Sequence, residues 1–440
     1  MWDGQDGRDG QDGLRRLNDQ PAADRLRGSN AASIKVHNRT IVIRALLQYG
    51  PLSRQALVQL TGLMPSTITY AVNHLGEAGL VSEIGKDSAA TGAGGGRHPI
   101  LIDIRTDAAL ALAICLEETA VSVGLVNLKG GLELAEAVPV TRGIAPAEAV
   151  ELAGELARRV LARIDRGRLI GAGVAAPGLV DPTTGMNEYA SYHGWHDVPL
   201  AALLGDAVGL PVSIQNRSRA VALGEQWYGA GRGVDDLIAI VATEVIGAGI
   251  IIGGRIHPGH AGRAGEIGHT VVVEDGPRCT CGKDGCLEAV ASIRALARIA
   301  RQVPGVGLPG GGHAPDAAIA ARVLAAAAAG QPVARGIVDN ALHHLGLAVA
   351  NLTVVLDPEL VILSGGLFAA DDLGLAAIAG AIAAVSLAPR ERRPKVALGL
   401  LGPSASLIGA ATLAFERLLD SGNLLAVGGA ATGRVSAARR

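Results

Sequence analysis

The sequence predicts a two-part chain, in which an N-terminal winged helix-turn-helix precedes a larger α/β domain. Two observations lead to this prediction. Between residues 31 and 105, three helical patterns separated by turn residues are followed by two strand-like apolar runs. Beyond Arg105, apolar runs alternate with amphipathic Ala/Leu-rich stretches, which is typical of an α/β fold with mixed sheets. A chain of 440 residues is long enough for two or three such domains.

Both ends of the chain differ in composition from the rest. Residues 1–30 repeat short Asp-Gly units and residues 421–440 are rich in Gly, Ala and Ser, so we expect two disordered tails. The first twenty residues contain no apolar core of a secretory signal, which favours a cytoplasmic location. The uncharged, Ala-rich run from Leu373 to Ala388 is too short to span a membrane. We expect it to form a buried helix in a soluble protein with no membrane partner.

The N-terminal elements follow from turn and capping residues. A first helix is predicted to end at Gly50-Pro51, and Ser53 can cap a second helix that begins at Arg54 and ends near Leu60. Pro65 suits the first turn of a third helix that runs to about Ala78. The runs at residues 80–81 and 100–102 are strand-like and flank a glycine-rich loop at residues 92–96, which together predict the wing.

The third helix carries the polar surface that would read DNA. Its outward positions are short hydrogen-bonding residues: Ser66, Thr67, Thr69, Tyr70 and Asn73. The helix contains no Arg or Lys, so we expect Arg54 and Arg97 to contact phosphates of double-stranded operator DNA. Residues 31–105 hold seven Lys/Arg and four acids, although the whole chain has a net charge of −2. The alternative interpretation is a small helical dimerisation module without DNA contact.

A cluster of one histidine and three cysteines predicts a metal site. His269, Cys279, Cys281 and Cys286 lie within eighteen residues. Four N/S ligands are the set that structural Zn²⁺ takes, and Gly282 and Gly285 let a short loop fold around an ion. The alternatives are small buried apolar cysteines or disulfide partners. We expect one structural zinc ion with no position left for water.

Several short motifs in residues 46–413 carry a resemblance to a known family. They include Pro51-Leu52-Ser53-Arg54, residues 176–181, Gly194-Trp195, residues 265–269, the cysteine cluster up to Glu288, Ser364-Gly365-Gly366 and residues 408–411. With these motifs the chain resembles the ROK family (repressor, open reading frame, kinase) in its regulator branch. The resemblance implies a winged helix-turn-helix at residues 31–105 and, at residues 106–420, a two-lobed actin-like domain of the sugar-kinase type.

The resemblance also implies a sugar site. Family members bind the sugar ring with positions that read here as Asn216, Arg217, Glu266, His269 and Glu288. Carboxylates suit this role because each accepts several hydrogen bonds from neighbouring hydroxyls. His269 would contact both metal and ligand. The alternative for Glu266 and Glu288 is a solvated face or a helix cap.

The catalytic pattern of the family is altered in this chain. Active members carry a general-base Asp where this chain has Arg217, and arginine cannot accept a proton near neutral pH. The two phosphate loops align with residues 115–119, which include Glu117 and Glu118, and with residues 243–247. Acids in place of glycines would repel phosphates. We therefore expect a degenerate kinase without enzymatic activity, and Arg217 further favours an acidic or phosphorylated sugar as the ligand.

The leading hypothesis is a cytoplasmic, zinc-containing transcriptional regulator, a repressor, that senses a sugar or sugar derivative. We expect a homodimer or homotetramer, because a palindromic operator presents two half-sites. One alternative is a regulator that is also an ATP-dependent sugar kinase. The other is a regulator controlled by a protein partner in place of a free sugar.

Overall fold

A computed structural model describes residues 31–86, 98–308, 312–368 and 373–421. Apart from Ser421, the two predicted tails lie outside these ranges. The predicted DNA-contacting residue Arg97 and the glycine-rich loop at residues 92–96 also lie outside the described residues.

The N-terminal module consists of three helices and a small antiparallel sheet. The helices are α1 (Ala31–Tyr49), α2 (Arg54–Thr61) and α3 (Pro65–Glu77), and the strands are β1 (Leu52–Ser53), β2 (Val81–Lys86) and β3 (Ile100–Ile104). The ends of α2 and α3 lie within one residue of the predicted ones. The two-residue strand β1 was not predicted; it pairs with β3 on the side away from β2.

Local chemistry accounts for the helix ends in this module. The Ser53 hydroxyl accepts the backbone N–H of Ala56 at 3.1 Å, as expected of an N-cap. Gly62 ends α2 with φ 68°, a left-handed conformation that favours glycine. Pro65 opens α3, whose buried face includes Ile68 and Leu75. The polar side of α3 is therefore turned outward, as the sequence predicted.

The first lobe of the larger domain is built on a five-stranded sheet. Its strands are β4 (Leu110–Leu116), β5 (Ala120–Asn127), β6 (Leu132–Pro139), β7 (Leu169–Ala176) and β11 (Val212–Asn216). Strands β4, β5 and β6 are antiparallel, and β7 and β11 extend the sheet from β4 in parallel. Helices α4 (Pro146–Leu161) and α5 (Leu200–Val208) pack on it. A separate small sheet contains β8 (Leu179–Asp181), β9 (Met186–Ala190) and β10 (Trp195–Val198).

The second lobe repeats this strand arrangement. Strands β12 (Leu237–Ala242), β13 (Ile246–Ile252) and β14 (Arg255–Ile256) are antiparallel, and β15 (Leu360–Ser364) and β16 (Lys395–Leu398) extend the sheet from β12 in parallel. Its helices are α7 (Leu287–Ala291), α8 (Ile293–Gln302), α9 (Asp316–Ala328), α10 (Pro332–Leu356) and α11 (Leu373–Val385). The predicted α/β domain with mixed sheets is thus a two-lobed structure with one topology used twice.

Two helices pack against each other between the sheets. Helix α6 (Arg217–Tyr228) lies on the second sheet and α12 (Ala405–Ser421) on the first. They approach closely at Gly224 and Gly409, because a Cβ on Gly409 would lie 2.1 Å from the Ala220 carbonyl oxygen. Glycine at this crossing therefore lets the two helix backbones touch.

In the described part of the chain, no individual helix has both the length and the apolar composition for a membrane span. Helices α9 and α10 meet that test only when taken together, and they are bent by 106° at their junction. Their apolar faces are buried in the core of the second lobe.

Candidate functional site

The five residues predicted to contact a sugar all line one cleft between the lobes. Each comes from the end of an element or from a loop beside it: Asn216 ends β11, Arg217 begins α6, and Glu288 lies in the first turn of α7. Glu266 and His269 belong to the loop after β14. The remaining lining residues are Glu118, Pro177, Gly178, Ala190, Ser191, Tyr192, Ser218, Val245, Ile246 and Gly247. The fold therefore brings together groups from seven separate parts of the sequence.

Of the two carboxylates predicted to bind hydroxyls, Glu288 is held by hydrogen bonds inside the protein. Glu288 is only 4% exposed, so it does not belong to a solvated face. Its Oε1 accepts the Thr280 hydroxyl at 3.3 Å, and its Oε2 accepts the backbone N–H of Ile246 at 3.4 Å. Burial raises the pKa of Glu288 and also that of Glu266. Buried carboxyls of this kind are good partners for ligand hydroxyls, because water does not compete for them.

The Asn216 side chain is engaged in building the cleft. Its Oδ1 accepts the backbone N–H of Ser218 at 2.9 Å and that of Arg219 at 3.4 Å, so Asn216 is the N-cap of α6. Its Nδ2 donates to the Gly178 carbonyl at 2.8 Å. One amide N–H remains for a ligand. Asn216 therefore fixes the start of α6 against the loop after β7.

Arg217 takes part in an internal ion pair. The side chain is buried, and its Nη2 lies 3.0 Å from Oε2 of Glu118 and 2.7 Å from Oγ1 of Thr243. Its Nη1 lies 3.6 Å from Oε1 of Glu117. Three protein side chains already surround this guanidinium, which leaves less of it for an anionic ligand than the sequence suggested. Glu117 and Glu118 are therefore the charged neighbours of Arg217.

Two β-hairpins, one from each lobe, meet at this pair. The β4–β5 turn holds Glu117 and Glu118, and the β12–β13 turn holds Thr243 and Glu244. Arg217 contacts side chains from both turns and so connects the two lobes. The sequence pointed to the three charged residues separately, but their pairing required the fold.

Because of Glu118, the free energy of unfolding is expected to fall as the pH rises from about 4.5 to about 7. Burial raises the pKa of this carboxyl from 4.5 to about 7, although Arg217 opposes the rise. In that interval the folded chain holds a proton that the unfolded chain has released, so stability present at the lower pH is lost at the higher pH. Urea unfolding at about pH 5 and about pH 7.5 measures the effect. The Glu118→Gln variant should show a flatter dependence; an unchanged dependence would exclude Glu118 as its source.

The His/Cys group forms a compact set of ligand atoms. The ligand atoms of His269, Cys279, Cys281 and Cys286 all lie within 4.8 Å of one another, as a metal ion requires. Nδ1 of His269 lies 3.7 Å from Sγ of Cys279. The disulfide alternative does not hold, because all four cysteines of the chain are free and the sulfurs of Cys281 and Cys286 are 3.7 Å apart.

Backbone geometry explains the two glycines in this group. Gly282 and Gly285 have φ values of 89° and 73°. At Gly285 a Cβ would lie 1.7 Å from the Val273 carbonyl oxygen, so only glycine fits. Cys286 is the next residue and precedes α7, which carries Glu288. His269 lines the cleft and contacts the cysteines, so a metal ion held here would fix two cleft residues.

On the N-terminal module, the polar face of α3 is open to solvent. Ser66, Thr69, Tyr70 and Asn73 are exposed and Thr67 is half-buried. Arg54 forms an exposed ion pair with Glu83, with 2.9 Å between Nη1 and Oε1, and its Nη2 lies 3.5 Å from Oδ1 of Asn73. Exposed pairs contribute little free energy, so this pair does not commit the Arg54 guanidinium to Glu83. Arg54 was predicted to contact phosphates and Asn73 to contact bases, and their side chains lie next to each other.

Tyr192 is a cleft residue for which the sequence predicted no role. Its ring lies 5.6 Å from the Arg142 guanidinium of the first lobe and 5.1 Å from the Arg294 guanidinium of the second. The neighbouring His193 is buried against Trp195, and burial lowers its pKa. No local motif predicts the Tyr192 contacts, because Arg294 is about a hundred residues away in sequence.

Comparisons of the sequence and of the structure with known proteins lead to the same family. The family model described as "ROK family" matches residues 112–417. A glucokinase of Halalkalibacterium halodurans is 37% identical over 264 residues, which are 58% of this chain and 79% of that protein. A xylose repressor of Caldicellulosiruptor bescii is 30% identical over 339 residues, 76% of this chain and 84% of that protein. A solved ROK family transcriptional regulator, a homologue of the E. coli MLC protein, has a TM-score of 0.71 and 27% identity, covering 90% of this chain and 99% of that one.

Proposed function

Because the chain belongs to the ROK family, we propose that it is a DNA-binding transcriptional regulator, a repressor, whose operator affinity is controlled by a sugar or sugar derivative. The extent of the similarity to regulators supports this proposal. Residues 106–421 make up less than three quarters of the chain. A structural match over 90% of the chain therefore includes the N-terminal module, whereas the glucokinase match covers 58%.

We infer that residues 31–105 form a winged helix-turn-helix with α3 as the recognition helix. In this arrangement α3 enters the major groove with its exposed face, and β2 and β3 form the wing. Ser66, Thr67, Thr69, Tyr70 and Asn73 would contact base edges, and Arg54 would exchange Glu83 for a phosphate. A homodimer or homotetramer would present two such modules to a palindromic operator. A protein that binds chromosomal DNA acts in the cytoplasm, which is the location that we propose.

Residues 106–420 are the proposed sensor. A neutral sugar would accept hydrogen bonds from Asn216 and His269 and donate hydroxyl protons to Glu266 and Glu288. Zinc is the metal that best suits one imidazole and three thiols, and its role here would be to hold the loop that carries His269 and Glu288. Arg217 would position the cleft walls through Glu118 and Thr243. An enzymatic role is disfavoured because no carboxylate base stands at the position of Arg217.

The N-terminal module contacts helices α6 and α12, and through these contacts sugar binding could change the position of the DNA-binding helices. Helix α6 begins in the cleft at Arg217 and ends at Tyr228. Near its end, the Arg44 guanidinium of α1 lies 5.7 Å from the centre of the Trp227 ring. Arg44 also lies 3.9 Å from Glu416 of α12. A change in lobe closure that shifts α6 against α12 would therefore move α1 and change the spacing of the two DNA-reading helices.

Sugar control is tested by measuring operator release with a panel of neutral sugars and sugar phosphates. We expect at least one sugar to release wild-type protein, and Glu266→Gln to weaken that response about tenfold or more, because the negative charge is lost and an N–H donor replaces one acceptor oxygen. Binding to the operator without sugar should be unchanged. Glu274→Gln is the matched control, since Glu274 is exposed on the same segment.

Two outcomes would contradict this part of the proposal. Operator binding that ignores every sugar would favour control by a protein partner. A Glu266→Gln variant that responds like wild type, with its metal content intact, would remove Glu266 from the sugar site.

A further inference from the structure

A second cavity, which we call the arginine groove, lies behind the cysteine loop. It is lined by Arg278, Arg294, Arg298 and Arg301, together with Cys279, Thr280, Glu288, Ala289, Ser292, Ala295 and Asp316. Its volume is about 220 Å³. One water needs roughly 10–15 Å³ of such space, so a tetrahedral oxyanion fits with several waters. Glu288 lines both the groove and the sugar cleft and so forms the wall that they share.

Three of the arginines lie on one face of α8. Arg294, Arg298 and Arg301 are spaced by four and three residues, which places them in a row along the helix. Like charges at this spacing repel and destabilise a helix. The row is therefore unfavourable unless negative charge lies beside it.

Protein carboxylates neutralise only part of this charge. Arg301 pairs with Asp316 at 2.7 Å, and Arg278 pairs with Asp284 at 3.2 Å. Glu288 lies in the wall, but its oxygens accept hydrogen bonds from Thr280 and Ile246. Within the described residues, no carboxylate lies within ion-pair distance of Arg294 or Arg298. Arg294 and Arg298 are thus two guanidinium groups without a carboxylate at ion-pair distance, and Glu288 in the wall offsets only part of their charge.

Both of these guanidinium groups are held in place. Nη2 of Arg298 donates to the Ala289 carbonyl at 3.0 Å, and the Arg294 guanidinium lies 5.1 Å from the Tyr192 ring centre. Ser292 caps the start of α8, and the small side chains of Ala289 and Ala295 leave the space in front of the helix open. Fixed guanidinium forks beside a helix start are suited to the oxygens of a phosphoryl group.

We propose that the arginine groove binds the phosphoryl group of a small anion, separately from the sugar cleft. Arg294 and Arg298 provide the main contacts, and Arg278 and Arg301 form the electropositive rim. This site does not depend on the proposed regulatory function, because neither DNA nor a neutral sugar takes part in it. The phosphoryl group can be free inorganic phosphate or part of a sugar phosphate.

Calorimetric titration of the full chain with inorganic phosphate, at constant ionic strength in chloride, tests the groove. We expect saturable binding by wild type and a loss of about tenfold or more in the Arg294→Gln/Arg298→Gln double variant, since two charge-assisted contacts are removed. Arg335→Gln is the matched control: Arg335 is an exposed arginine that pairs with Asp339 on α10, and binding should be unchanged. The Arg294→Lys/Arg298→Lys variant keeps the charges and should retain part of the affinity.

A second titration with glucose 6-phosphate separates the two sources of the phosphoryl group. Binding at least tenfold tighter than that of inorganic phosphate, with the same loss in the double variant, would identify a sugar phosphate as the occupant, and equal affinities would identify free phosphate. Absence of saturable binding of both probes to wild type would overturn the proposal. So would equal binding by wild type and a double variant whose metal content and melting temperature are unchanged.

Discussion

Replacement of Cys286 by serine is expected to remove the bound zinc and to lower the melting temperature by roughly 10 °C, which corresponds to about 4 kcal/mol. The Cys286 side chain is fully buried and immediately precedes α7. With this ligand gone, Cys279, Cys281 and His269 cannot close a tetrahedral site. The loop would then release His269 and Glu288, so sugar-induced operator release should be lost as well.

Metal analysis of the purified protein measures the first part of this prediction, with about one zinc per wild-type chain expected. Cys115→Ala is the matched control, because Cys115 is also fully buried but lies in β4, outside the metal group. This variant should keep its zinc and lose only the free energy of a small cavity. A Cys286→Ser protein that retains one zinc per chain would refute the assignment of this ligand.

Zinc binding to the metal-free protein should release protons. Burial and the neighbouring thiols raise the pKa of Cys286 to about 12, and burial also raises that of Cys279. Both thiols are therefore protonated without metal and ionise when zinc binds. A pH indicator in weak buffer measures the release, and the zinc affinity should fall as the pH is lowered.

No sugar-dependent ATP turnover is expected from the wild-type chain, and Arg217→Asp should not restore it. Phosphoryl transfer requires a base together with a bound and oriented γ-phosphate. The variant would regain a carboxylate, but Glu117, Glu118 and Glu244 would remain around the position of the phosphates. An assay of ATP hydrolysis with a panel of hexoses measures this. Wild-type turnover well above background with any hexose would establish the bifunctional alternative.

The same Arg217→Asp variant should be less stable by roughly 3–5 kcal/mol, because it leaves Glu118 buried without its partner and adds a like charge. Glu118→Gln in the same chain should recover part of the loss, and a double-mutant cycle by urea unfolding measures the coupling. Arg335→Gln, which breaks an exposed pair with Asp339, is expected to cost less than about 1 kcal/mol. A similar small loss for Arg217→Asp would show that the buried pair does not stabilise the lobes.

Features that depend only on residues close together in the chain were determined by the sequence itself. Ser53 and Pro65 set the starts of α2 and α3, because capping and a fixed φ act within one turn. The metal group was predictable for the same reason, since its four ligands lie on one short loop whose glycines permit positive φ. The alternation of apolar and amphipathic runs likewise predicted the α/β class, because central strands such as β4 and β12 are buried on both faces and read as continuous apolar runs.

The cleft residues were predicted only through the family resemblance, since they come from loops far apart in the chain. What they contact was decided by the tertiary structure. Arg217 contacts Glu118 only because two hairpins from different lobes converge on the start of α6. The sequence contains Arg217, Glu117 and Glu118 but does not show how far apart their charged groups lie. The two-residue strand β1 likewise exists only through its pairing with β3, about fifty residues away. Charge pairing and strand pairing act through space, and only the packed chain fixes which groups lie within a few ångströms of one another.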